Sequence, residues 1–123
     1  MIDRVWDLID QVLAFIVNAF NNPDDFRNDP KGHAVNQPLH MVLGAGILWV
    51  TGSWLILAIF IVLWEAAQYA LRRAKFWDCV ADAFYMFSGA VLLVLISDRN
   101  PAWIPYLTIV LSVFAFGLWK RIK

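Results

Sequence analysis

The chain has a single cysteine, Cys79. An internal disulfide and a C-x-x-C metal site are therefore both excluded. It is also poor in charge: Asp, Glu, Lys and Arg make up 16% of the residues, against 61% hydrophobic ones. A soluble domain of 123 residues exposes too much of its chain to hide that proportion of apolar surface. The formal net charge is zero, which removes the electrostatic footprint of a nucleic-acid binder. No internal repeat or low-complexity tract stands out. These absences leave one class, a single-domain integral membrane protein spanning residues 1–123.

The few charges are segregated. Residues 1–40 hold six Asp against three basic residues, and the remainder holds four acids against seven bases. The first twenty residues, MIDRVWDLIDQVLAFIVNAF, do not read as a secretory signal, because Asp3, Asp7 and Asp10 occupy the place of a basic start and apolar block. Asp3, Asp7, Asp10, Gln11 and Asn18 form one stripe at helical spacing. Ile2, Val5, Trp6, Ile9, Leu13, Ile16 and Phe20 form the other. Residues 1–20 are thus expected to be an amphipathic helix, packed on the other helices in preference to lying on anionic lipid, since its polar face is acidic. Residues 21–38, with Pro23, Pro30, Gly32 and Pro38 as breakers, read as a polar loop. His33 falls there near Asp24, Asp25 and Asp29 and is expected to be solvated.

Membrane helices then fill residues 39–123. The apolar run 41–64 is either one span or a tight hairpin broken at Thr51-Gly52-Ser53. Trp49 and Trp54 flank Gly52, and tryptophan favours the membrane interface over the bilayer middle. The turn at residues 97–101 separates two further spans, 76–96 and 102–119. With the hairpin, Arg4, Arg27, Lys31, Arg72, Arg73, Lys75, Lys120, Arg121 and Lys123 share one side and Arg99 alone lies on the other. A single span gives a far weaker bias. The expected fold is all-α and polytopic, with about four membrane helices, one pair a tight hairpin, and the N-terminal amphipathic helix. The N- and C-termini are expected to be cytoplasmic. An arm over residues 33–50 is about 27 Å long, slightly short for a bilayer core of about 30 Å. Gly44, Gly46 and Gly52 are small enough to permit close helix contact.

The hairpin sets depths. His40 and Glu65 are equidistant from its midpoint, and Glu65 and Asp82 each lie seven residues from the basic turn 72–75. All three are expected about 10 Å inside the cytoplasmic boundary. Gln68 shares the face of Glu65, and Asp78 and Tyr85 share that of Asp82, with Gly89 continuing the stripe. Ionisable groups at membrane depth are costly unless paired, neutral or functional. One reading pairs Glu65 and Asp82 with Arg72, Arg73 or His40 to hold the bundle together. The other is a site: His40, Glu65 and Asp82 as catalytic or ligating groups, with Gln68, Asp78, Tyr85 and Arg72 in binding roles and a divalent cation as cofactor.

The order His40, then Glu65-x-x-Gln68, then Asp82 with Gly89 seven residues on resembles the signature of the VanZ-like membrane proteins. It covers residues 38–89. Two positions depart from it: Asn36-Gln37-Pro38-Leu39 stands where the family commonly carries Asp-Lys, and Met86 where it carries Asn. The resemblance implies a helical envelope protein of the bacterial inner membrane with a polar His/Glu/Gln/Asp cluster. Its partners would be the lipid bilayer and a lipid-linked or envelope small molecule, and its size allows a homo-oligomer. If it catalyses a reaction, metal- or carboxylate-assisted hydrolysis is the expected class. The competing reading is a non-enzymatic pore, a lysis or holin-like factor, or an assembly subunit. For the hairpin itself, a cysteine placed at Ser53 is expected to react with a membrane-impermeant probe from outside the cell. Failure to label it there excludes the four-helix topology.

Overall fold

The computed structural model describes residues 2–21 and 29–122, without side chains for residues 15, 16 and 18–21. Asp24, Asp25 and Arg27 of the expected loop, and the side chains of Ile16, Asn18 and Phe20, lie outside the described residues. The described chain is all-helical: α1 (Ile2–Asn21), α2 (Pro30–Thr51), α3 (Trp54–Leu71), α4 (Phe76–Ser97) and α5 (Trp103–Ile122). No strand occurs among the described residues.

The helix boundaries follow local chemistry. α2 begins where Asp29 adopts an extended conformation and its carboxylate accepts the backbone N–H of Gly32 at 3.0 Å. Pro30 follows at a first-turn position, where its missing N–H costs nothing. Residues 30–38 are therefore helical, not loop, which corrects the expected boundary at 38. Pro38 lies inside α2 instead of ending it. At 22 residues α2 is about 33 Å long, so the shortfall expected for the first arm disappears. The break at 51–53 is a two-residue device. Gly52 takes the left-handed φ of 62° and donates its N–H to the Leu48 carbonyl, and Ser53 caps α3 through Ile56 N–H. The basic turn places Arg73 at φ 55°, and the turn after α4 places Arg99 at φ 54°.

α2, α3, α4 and α5 pack into one bundle, with α2 against α4 the broadest contact. α2 and α3 are antiparallel: Leu48 meets Leu57 near the turn, and His40 meets Glu65 two turns further on. α4 runs parallel to α2, since Gln37 reaches Asp82 and Leu48 reaches Ala90. The α2–α4 contact is backbone-close. A Cβ added at Gly44 would collide with the backbone of Met86, and one at Gly89 with the backbone of Met41. Gly46 faces open space and takes no part in this approach. Ser88 Oγ and the Tyr106 hydroxyl, 3.1 Å apart, tie α4 to α5.

The polarity is inside-out. The buried residues of α2 are His33, Gln37, His40, Gly44 and Leu48, while Val35, Val42, Trp49 and Val50 are exposed. α3, α4 and α5 are long and apolar enough to cross a membrane. Their outward faces carry Ile59, Val62, Leu63, Phe87 and Phe116. An aqueous protein does not expose so much contiguous apolar surface. The chain is accordingly a helical protein with three helices fit to cross a membrane. α1 leaves Ile2, Val5, Trp6, Ile9 and Leu13 exposed, so the expected packing of its apolar side onto the bundle is not seen among the described side chains.

The Gly44–Met86 contact generates a prediction. Gly44→Val overpacks a backbone-to-backbone contact and is expected to destabilise the bundle by about 1–3 kcal/mol. Gly46→Val is expected to cost far less. Thermal unfolding of the two variants in detergent checks the difference.

Candidate metal centre

Five of the residues that matter lie on one stripe of α2 and one of α4. On α2, residues 33, 37, 40, 44 and 48 recur at intervals of three and four, so all turn to α4. Gly44 then brings the helices close enough for short polar side chains to meet across the gap.

His40 is 7% exposed. Its Nδ1 lies 2.9 Å from the Asn36 carbonyl, an acceptor, so Nδ1 carries the proton. In the neutral ring Nε2 then presents its lone pair. It points to Asp82 Oδ2 at 3.7 Å, longer than a hydrogen bond. Asp82 Oδ1 instead accepts from Gln37 Nε2 at 3.1 Å. Glu65 enters from α3, also 7% exposed, and both its carboxylate oxygens accept no hydrogen bond among the described residues. The expected pairing of Glu65 with Arg72, Arg73 or His40 is therefore not seen as a hydrogen bond; Arg72 and Arg73 are exposed in the turn. Cys79 is buried, and its Sγ donates to the Glu65 backbone carbonyl at 3.7 Å.

One ligand atom each from His40, Glu65 and Asp82 lies within 4.8 Å of the others, and all three residues are buried. Atoms bound to one cation at about 2.0–2.6 Å sit about 3–5 Å apart. The cluster therefore fits around a single ion with at most a small inward shift. A histidine whose far nitrogen donates to a backbone carbonyl is the usual outer-shell arrangement of a metal ligand. When both carboxylates ionise beside one imidazole, a buried layer carries negative charge that a divalent cation would offset.

The other expected residues divide. Gln68 is buried at 2% exposure, three residues beyond Glu65. Asp78 is half-buried one turn before Asp82 and is not among the three groups of the cluster. Arg72 is exposed at the end of α3 and also stands outside it. Tyr85 is buried at 2% exposure but turns to His33, with ring centroids 6.4 Å apart.

His33 corrects the solvated-loop expectation. It is 3% exposed, stacked on Phe114 at 5.8 Å, with Nδ1 3.4 Å from Gln37 Nε2. The physical reason is the early start of α2, which places His33 one turn before Gln37 on the buried stripe. Gln37 was likewise not singled out as a site residue. The signal for both was present as the four- and three-residue spacing of His33, Gln37, His40 and Gly44, masked by Pro38.

Comparison with family models, curated proteins and solved structures finds no match to this chain.

Gln37 Nε2 donates a buried hydrogen bond to Asp82 Oδ1 across the α2–α4 contact. Gln37→Leu is expected to cost about 1–3 kcal/mol by leaving a buried carboxylate short of a donor. A fall in the detergent melting temperature, absent in Val35→Leu on the exposed face, checks it.

Proposed function

We propose that this chain is a VanZ-like integral membrane protein of the bacterial inner membrane whose His40, Glu65 and Asp82 hold a divalent cation. The observation that carries this reading is the convergence of the three buried ligand groups within 4.8 Å. A mixed nitrogen and oxygen donor set suits Zn²⁺, Mn²⁺ or Fe²⁺ better than Ca²⁺ or Mg²⁺. His40, Glu65 and Asp82 would supply three ligands, and an ion held by three protein ligands would supply Lewis-acid chemistry toward water or an oxygen of a polar headgroup or envelope precursor. Where the site is hydrolytic, His40 and Asp82 are ligands and Glu65 is ligand or base to a bound water.

In this reading α2 is the fourth crossing helix. Its polar residues face the bundle and its apolar ones face lipid, as intramembrane polar groups require. α1 is an amphipathic helix lying in the interface, in keeping with the exposure of Trp6, Ile9 and Leu13. Trp77 and Trp119 mark the basic, cytoplasmic end, and Trp49 and Trp54 the opposite one; all four are exposed. Gln37 provides a polar contact to Asp82 just before His40, the region in which the family resemblance asks for polar residues.

One observation favours the second reading, a non-enzymatic membrane component with an internally paired layer. Asp82 already lies against His40 and Gln37. The Glu65 carboxylate, without a hydrogen-bond donor among the described residues, weighs for the cation.

The test is calorimetric titration of the chelator-treated protein in detergent with Zn²⁺ and Mn²⁺. Wild type is expected to bind one ion per chain, and Glu65→Gln and His40→Ala to bind roughly 100-fold more weakly at unchanged folded yield. Loss of folded yield in both variants, with no ion bound by wild type, would instead establish structural pairing.

A further inference from the structure

α2 meets Asp82 at two points. Gln37 Nε2 donates to Oδ1 at 3.1 Å, and His40 Nε2 faces Oδ2 at 3.7 Å. Gln37 and His40 lie one turn apart on the buried stripe of the same helix. One rigid element thus addresses the two oxygens of one carboxylate separately. Oδ1 is engaged by an amide, and Oδ2 is turned toward the imidazole of the cation layer.

Gln37 is itself held in place. An Asp82 oxygen would repel the Gln37 carbonyl, so the amide nitrogen is the atom that faces Oδ1. The same nitrogen lies 3.4 Å from His33 Nδ1, which gives its second hydrogen an acceptor. His33 has little freedom to move away. It stacks on Phe114 of α5 at 5.8 Å and meets the Tyr85 ring edge-on at 6.4 Å. Gly117 closes over its Nε2 so tightly that a Cβ there would stand 2.8 Å away. Gln37 and His33 are both buried. Turning the amide away from Asp82 would leave a buried donor unpaired, which is costly.

We propose that Gln37 is a positioning residue of the cation site, restricting Asp82 to a single ligand oxygen, Oδ2, and thereby favouring Zn²⁺ over Mn²⁺. The inference rests on the cation reading above and adds the residue that sets its selectivity. A carboxylate free to bind through both oxygens raises the coordination number and suits larger cations with many oxygen ligands. A carboxylate limited to one oxygen, beside an imidazole, suits a compact four-coordinate ion. Mn²⁺ takes six oxygen-rich positions and gains from a second Asp82 oxygen; Zn²⁺ does not need it. Loss of the Gln37 donor releases Oδ1 to the ion.

The full chain in maltoside micelles, stripped by chelator, is titrated calorimetrically with Zn²⁺ and with Mn²⁺. The ¹¹³Cd resonance of the Cd²⁺-loaded protein reads the ligand set. Gln37→Leu and Gln37→Met remove the donor, and Val35→Leu on the exposed face is the control. In both Gln37 variants Zn²⁺ affinity is expected to fall roughly tenfold or more while Mn²⁺ affinity holds, and the ¹¹³Cd resonance to move as a second oxygen enters. Val35→Leu is expected to change none of the three. Equal losses for both ions with an unmoved ¹¹³Cd resonance, or wild-type binding in both variants, overturn the proposal and leave the cation reading standing. The wild type supplies a second measurement that needs no variant to fold. The Gln37 side-chain amide hydrogens are expected to stay in slow exchange with water after Zn²⁺ loading. Fast exchange there shows that Oδ1 has left Gln37 for the ion and overturns the proposal. Failure of wild type to bind either ion removes the cation reading, and this inference with it.

Discussion

The close approach of α2 and α4 at Gly44 and Gly89 is the constraint on which the other features depend. Each glycine meets the backbone of the opposite helix, at Met86 and Met41 respectively. At that separation the side chains one to two turns below, His40, Gln37 and Asp82, come together directly. A wider gap would need long side chains or water to bridge it. The same contact fixes how α2 is rotated about its own axis, and that rotation turns every polar residue of its stripe inward.

Burial of this polar layer is costly in a bundle whose outer surface is apolar. Local bonds offset part of the cost: Asn36 orients His40 and Gln37 bonds Asp82. Glu65, the single glutamate of the chain, is the group these bonds do not serve. The proposed cation site rests on this carboxylate lying next to a second carboxylate and an imidazole.

Much of this was legible before any coordinates. The turn at Gly52-Ser53 was marked by a glycine and two flanking tryptophans, and the turn at 72–75 by its bases. Those two positions predict equal depth for His40, Glu65 and Asp82, and the three residues do converge. The N-terminal part of α2 was obscured because Pro38 and Gly32 are breakers by local propensity. A helix that buries its polar face against neighbours tolerates such residues more readily than an isolated one. With the helix start misplaced by nine residues, His33 and Gln37 lost their register with His40.

The sequence by itself determined the helical class, the turns, and the shared level of His40, Glu65 and Asp82. These depend on short-range chemistry and on a rise of 1.5 Å per residue, which do not depend on partners. Only the tertiary structure decided which residues of a given depth meet. Gln37 reaches Asp82, Tyr85 turns to His33, and Gly117 sits under His33 and Arg121. These outcomes depend on the rotation of each helix about its axis, and that is settled by the side chains of the other helices, far away in the chain.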